Sequence, residues 1–287
     1  MAKLYDLMAA TPDIAGQGRN LLLMSTRICS QEIADIYDED IIRSGRMEFG
    51  EFPPIRLPWQ VTWLEFRWPE GPIKLGAILV ELDRDGFIEA TKLNHELRNL
   101  KPSDSYIMAS CFCEIEQVRK VVPLGGFFIG LTSEFRHNQT GAVPIIHRCF
   151  SCDKDMPGVL LTRITGVTLK TLGVANCKNI ILERQCPYDE ALQKARVRRG
   201  KLPFFDYHIL RIDPSKTRTK TIGGPVEHDS DPKRLHICRG HFKTYTDERP
   251  LFGRLTGTFW VPQHMRGDMD VGVVAKDYEI VAAKKGI

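Results

Sequence analysis

The chain has no long apolar run. None approaches the roughly 20 residues that a membrane-spanning helix needs, so no membrane partner is expected. Met1–Ala10 (M-A-K-L-Y-D-L-M-A-A) lacks the roughly 7–15-residue apolar core of a signal peptide, and a cytoplasmic location is expected. Also missing are G-x-x-x-x-G-K-[ST], G-x-G-x-x-G, H-E-x-x-H and G-x-S-x-G. Without them P-loop nucleotide hydrolysis, dinucleotide redox chemistry, zincin proteolysis and serine-hydrolase chemistry move well down the list. There is one C-x-x-C, Cys149–Cys152 in H-R-C-F-S-C, and no second to complete it. Structural zinc takes four ligands, so this is a half-site. Its missing ligands would have to come from His147 or from His236, Cys238 and His241.

What remains is the composition of an ordinary globular chain. It has 287 residues, 43% of them hydrophobic and 26% charged, enough for one large domain or two modest ones. Eight cysteines in a reducing compartment are expected as buried thiols or metal ligands. Cys111 and Cys113 fall two apart in an alternating segment and are expected on one face of a strand. The net charge of +4 is unevenly spread. From Leu192 onward Lys and Arg number 19 against 11 Asp and Glu, while the rest carries 21 against 25. The densest part is K-A-R-V-R-R-G-K, with Arg196, Arg198 and Arg199. A basic half of this kind fits a polyanion partner, nucleic acid first.

Along the chain, a helix is expected from Thr11 or Asp13 to about Ile42, with a break near Asp38, where an acidic cluster opposes the helix dipole. Pro53, Pro54 and Pro58 mark a crossing segment. Val61–Trp68, Lys74–Leu82, Tyr106–Ile115 and Val121–Leu131 suit strands of a meander, with a turn or bulge at Gly125–Gly126. Glu134–Gly141 is a polar loop. Pro157–Asn176 is helical or strand-like. Asn179–Arg184 and Phe204–Asp213 are strand-like, and Tyr188–Arg199 is a short helix with acids first and arginines last. Pro214–Pro232 is loop. The expected class is α+β, a helical start followed by a largely antiparallel sheet with short helices. The expected division is 1–50 helical, 51–186 β-rich and 187–287 basic α+β, the last either separate or continuous with 51–186.

Chemistry-bearing residues crowd between Arg234 and Gly267. Arg234, His236 and Cys238 share one face of a strand, and Gly240 is expected as a bulge that lets Arg239 and His241 project together. T-D-E-R-P is a turn, Phe252–Val261 the return strand, and Pro262 leaves His264 and Arg266 in a loop beyond. Three chemistries compete. Arg239, His241, Lys243, Arg254, His264 and Arg266 contact phosphates, with Trp260 or Phe242 stacking on a base. Alternatively His236 and His241 run general acid–base cleavage of RNA without metal, with Arg239 steadying the charge. The third is zinc on His236, Cys238 and His241. A core hairpin with internally paired His and Arg is the plain alternative.

H-I-C-R-G-H-F-K (His236–Lys243) and W-V-P-Q-H-M-R-G (Trp260–Gly267) resemble a family of proteins encoded by phages, prophages and plasmids. Its members share an H-x-x-R-G-H-[FW]-[RK] strand and a W-[IV]-P-x-x-x-[RK]-G return. L-P-W-Q-V-T-W-L-E (Leu57–Glu65) is similar to an upstream element of such proteins. The resemblance implies an origin on a mobile element and names no function. Cys238 stands where that pattern is free, which speaks against an obligatory zinc.

Three expectations follow: a nucleic-acid-binding protein, a small hydrolase such as a metal-independent ribonuclease, or a structural or inhibitory protein whose partner is a host or virion protein. No cofactor is required by any of them, and zinc remains possible, with Cys149 and Cys152 as its candidate ligands besides the hairpin set.

Overall fold

A computed structural model describes residues 4–10, 16–44, 53, 55–68, 71, 73–83, 85–86, 105–115, 120–130, 136–138, 141–143, 145–151, 158–186, 188–201, 203–213, 234–238, 240–266 and 268–273. The fold is α+β. Helices α1 (Leu4–Ala10) and α2 (Gly16–Met24) lead into strand β1 (Thr26–Cys29) and helix α3 (Gln31–Ser44). The meander follows: β2 (Val61–Arg67), β3 (Ile73–Asp83), β4 (Ser105–Ile115) and β5 (Lys120–Gly130). The small pair β6 (Arg136–Asn138) and β7 (Gly141–Val143) precedes β8 (Ile145–Ser151), helix α4 (Gly158–Ala175) and β9 (Ile180–Gln185). Then come helix α5 (Glu190–Arg198), β10 (Tyr207–Ile212), β11 (Arg234–Cys238), β12 (His241–Tyr245), β13 (Gly257–Val261), β14 (His264–Arg266) and β15 (Asp268–Val273).

Eight strands form one sheet in the order β8-β5-β4-β3-β2-β1-β10-β9. It draws on all three expected segments: β1 from 1–50, the meander and β9 from 51–186, and β10 from 187–287. The meander is antiparallel throughout, while β1 lies parallel to both β2 and β10. Alternation along the strands feeds two apolar layers. Leu64 and Phe66 of β2, with Leu75, Ala77 and Leu79 of β3, pack under α3 and α4. Val61, Trp63 and Ile78 face the other way, under α1 and α2. Cys111 and Cys113 are both buried on the α4 side, as their spacing suggested. Opposite them Leu124 is an extra residue on β5, because Cys111 pairs with Gly125 and Phe112 with Pro123. Gly125 takes up this bulge with φ 114°.

The helical start differs from expectation in three places. Helix α1 (Leu4–Ala10) precedes the expected start at Thr11 or Asp13. Thr26–Cys29 is a strand, held by ladders on both edges that local periodicity does not reveal. Nor does α3 break at Asp38, since Arg163 of α4 forms an ion pair with Asp38 and stacks over Trp68 at 3.9 Å. Asp38 is also mid-helix in α3, which starts at Gln31, so the dipole conflict expected of a helix begun near Asp13 does not arise. Pro157–Asn176 resolves as helix. The loop expected at Pro214–Pro232 lies outside the described residues.

Candidate functional site

The basic C-terminal half meets the sheet through a hairpin and through a helix. Strands β12 and β13 pair antiparallel, Phe242 opposite Trp260. Both rings are buried, at 6% and 5% exposure, and touch at 5.0 Å between centroids. The ring of Trp260 therefore serves packing, under Lys170 of α4, and is not available to stack on a base. The side chain of Asn179 fastens β13 to the start of β9. It donates to the Trp260 carbonyl at 2.8 Å and accepts from the Trp260 N–H at 2.9 Å. One residue earlier, Lys178 N–H donates to Thr258 O at 2.9 Å.

Register decides how the histidines are distributed. β11 pairs with β14, setting His236 opposite Arg266 and Cys238 opposite His264. Three residues further along both strands, His241 stands opposite Val261. No residue is inserted on either side, so Gly240 is not the expected bulge. Its lack of a side chain serves the Trp260 ring, which a Cβ at Gly240 would meet at 2.8 Å. The pairing is interrupted between the two ladders, which belong to separate sheets. The site as read from sequence thus divides. His236, Cys238, His264 and Arg266 occupy paired positions on the β11–β14 ladder, and His241 and Lys243 belong to the β12–β13 ladder. Arg239 lies outside the described residues. His264 and Arg266 are in strand β14, not in a loop, and both are exposed.

The far end of the hairpin is more elaborate than T-D-E-R-P alone suggested. Thr246 and Arg249 bridge a first turn, and Leu251 and Leu255 bridge a second. Hence β13 begins at Gly257 and not at Phe252. In the second turn Arg254 N–H donates to Leu251 O at 3.2 Å, with Phe252 (φ 55°) and Gly253 (φ 70°) between them. Arg249, Phe252 and Arg254 are exposed.

Helix α5 carries the other basic cluster. Asp189 caps it by accepting from Ala191 N–H at 3.0 Å, and Glu190 pairs with Lys194 at 2.7 Å. None of its residues is buried. Arg196 is half-buried against Phe204 at 3.9 Å, and Tyr188 stacks on that same ring. Arg198, Arg199 and Lys201 are exposed. Among the described residues no carboxylate pairs with Arg198, Arg199, Lys201, Arg249, Arg254 or Arg266.

Two features escaped sequence reading. One is a cleft of about 420 Å³ at the carboxyl end of β1, lined by Cys29, Gln31, Glu32, Ile33, Trp260 and Pro262 among others. Its volume is that of a small-molecule site, but its lining is mostly aliphatic. Gln31 is already bound to Arg67 N–H at 2.8 Å and to Asp35 at 2.9 Å. The other is a buried network. Glu65, fully buried, forms an ion pair with Arg27 and accepts from Trp63 Nε1–H at 3.0 Å and Tyr5 N–H at 3.2 Å. Burial pushes its carboxyl above the usual carboxylate range, against the pull of Arg27 and these donors. W-L-E in β2 hinted at this only through a carboxylate in an otherwise apolar strand.

No group of three or more His, Cys, Asp or Glu suited to a metal occurs among the described residues. Burial pushes the Cys113 thiol up to about 11 and that of Cys177 up to about 12, so neither is a ready thiolate at neutral pH. Cys149 stands in β8 opposite Phe127, and Cys152 lies outside the described residues. No described helix is long and apolar enough to cross a membrane. Comparison of the chain with family models, with curated proteins and with solved structures returned no match.

Proposed function

We propose that the protein binds nucleic acid through phosphate contacts made by the C-terminal end of α5 and the residues just after it, the β12–β13 hairpin and β14. One observation carries the reading: Arg198, Arg199, Lys201, Arg249, Arg254 and Arg266 are exposed and have no described carboxylate as partner. Exposed cations not held by a described carboxylate exchange small ions for phosphates. Edge strand β9 links α5 and the hairpin. The hairpin is fastened at Lys178 and Asn179 just before it, and α5 starts shortly after it. Six residues of strand span about 20 Å, over which a duplex presents about a dozen phosphates.

Binding is preferred to hydrolysis because His236 and His241, the pair an acid–base mechanism would need, stand on two separate ladders, β11–β14 and β12–β13. The reading includes a cytoplasmic location and, through the resemblance of the hairpin motifs, an origin on a phage or other mobile element. No cofactor takes part in it; zinc on Cys149 and Cys152 is tested separately by metal analysis of the purified protein. The test of binding is a salt titration with a labelled oligonucleotide. Six engaged cations give a slope of log K against log salt of about −4 for single strands and about −5 for duplex. No binding at low salt ends the proposal.

A further inference from the structure

Phe252 sits where phenylalanine is a poor choice. The turn Leu251–Arg254 is closed by Arg254 N–H donating to Leu251 O at 3.2 Å, and both central residues have positive φ, 55° at Phe252 and 70° at Gly253. A hairpin turn with two positive φ values is the type I′ arrangement, for which Asn-Gly is the favoured pair. Gly253 fits it. Phe252 is the one described residue other than glycine with positive φ, and its Cβ crowds the backbone there. The surroundings hold it in place. Leu251 N–H donates to Leu255 O at 2.7 Å, and Leu255 N–H donates to Leu251 O at 3.0 Å.

Burial does not explain the choice, because Phe252 is 42% exposed. An apolar ring is thus kept on a rigid turn, at a conformational cost, and shown to solvent between Arg249 and Arg254. Backbone strain retained at an apolar residue left 42% exposed points to a contact with something else. Two exposed arginines without described carboxylate partners, Arg249 and Arg254, lie within three residues of Phe252 along the chain, and a flat apolar surface near phosphate-binding groups suits an unpaired base. We propose that Phe252 is a stacking residue and that the nucleic acid bound at the hairpin is single-stranded. The inference rests on the reading above and deepens it.

The experiment compares wild type with Phe252→Asn and Phe252→Trp, using a single-stranded oligonucleotide, a duplex of equal length and vesicles of anionic lipid. Asparagine relieves the backbone and removes the ring. It is expected to raise the thermal midpoint by about 2–4 °C while weakening single-strand binding about tenfold and leaving duplex binding within about twofold. Tryptophan keeps single-strand affinity. A gain in stability with a loss of affinity is not what a merely structural residue produces. Equal single-strand binding by wild type and Phe252→Asn overturns the inference. The wider reading then stands if Arg254→Ala still weakens binding, and falls with it if no oligonucleotide binds at low salt. Vesicle binding that depends on Phe252, with oligonucleotide binding unaffected, also overturns the inference and marks a membrane contact instead.

Discussion

In the eight-stranded sheet Arg27 is 4% exposed, pairs with Glu65 and lies over the rings of Tyr5 and Tyr207. In the hairpin Arg249 and Arg254 stand in solvent with no described carboxylate as partner. One arginine has its partners supplied by the fold, and the others have none among the described residues. The comparison separates charge that holds the structure from charge on offer to a partner. A buried guanidinium is tolerable only when its anion and donors are fixed around it, and removing one member leaves an isolated charge. An exposed one contributes little to folding, so its removal is felt only where it binds.

The largest expected effect comes from Arg27→Met. It leaves Glu65 buried without its cation and costs about 3–5 kcal/mol in denaturant unfolding. The pH dependence has a defined sign. With Arg27 gone, burial dominates at a carboxyl already raised, so the proton binds the folded state more tightly than the unfolded one. That contribution is complete below the ordinary carboxylate value of about 4.3 and is lost as pH rises through the raised one. The deficit relative to wild type is therefore greatest at neutral pH and shrinks toward pH 4. Adding Glu65→Leu to Arg27→Met recovers most of the loss at neutral pH. A deficit independent of pH would mean that Glu65 is not the group left stranded.

Next in size is the joint between the two regions. Asn179→Ala removes both hydrogen bonds to the backbone of Trp260, at about 2 kcal/mol, and loosens the hairpin without removing a charge. Nucleic-acid affinity should fall with it. Undiminished affinity would show that the hairpin needs no support from the sheet. Gly240→Ala puts a methyl 2.8 Å from the Trp260 ring and is expected to cost about 1–3 kcal/mol. A bulge residue with open space would tolerate it.

The smallest effect on stability belongs to the exposed cations. Arg198→Ala with Arg199→Ala should leave the unfolding midpoint unchanged within about 0.5 kcal/mol and lower affinity for every sequence alike. A stability loss above about 1 kcal/mol would place these arginines among the structural ones.

How much of this could be read from the sequence follows from the range of the forces. The meander was legible because Val61–Arg67, Ile73–Asp83 and Ser105–Ile115 alternate and bury long runs. Helix α5 was legible from Asp189 and Glu190 at one end and its arginines at the other. Strand β1 was not, because four residues owe their conformation to β2 and β10, which lie far along the chain. The continuity of α3 past Asp38 depends on Arg163, equally remote. At the candidate site residue types located the hairpin, but pairing decided what it presents. Register set His236 opposite Arg266 and removed the bulge, and packing took Trp260 out of reach. Phe252 was overlooked because a second turn directly after T-D-E-R-P reads as the start of a strand. L-F-G-R-L held the clue, a Gly preceded by a residue that must share its positive φ.

The central claim is that the exposed arginines of α5 and the hairpin are there for a polyanion. It is tested most directly by salt titration of single-stranded oligonucleotide binding to wild type and to Arg198→Ala/Arg199→Ala/Arg254→Ala. The account predicts a linear fall of log K with log salt whose slope is shallower in the variant by about 0.7 for each arginine removed. Equal slopes for the two proteins, or no binding at low salt, would contradict it.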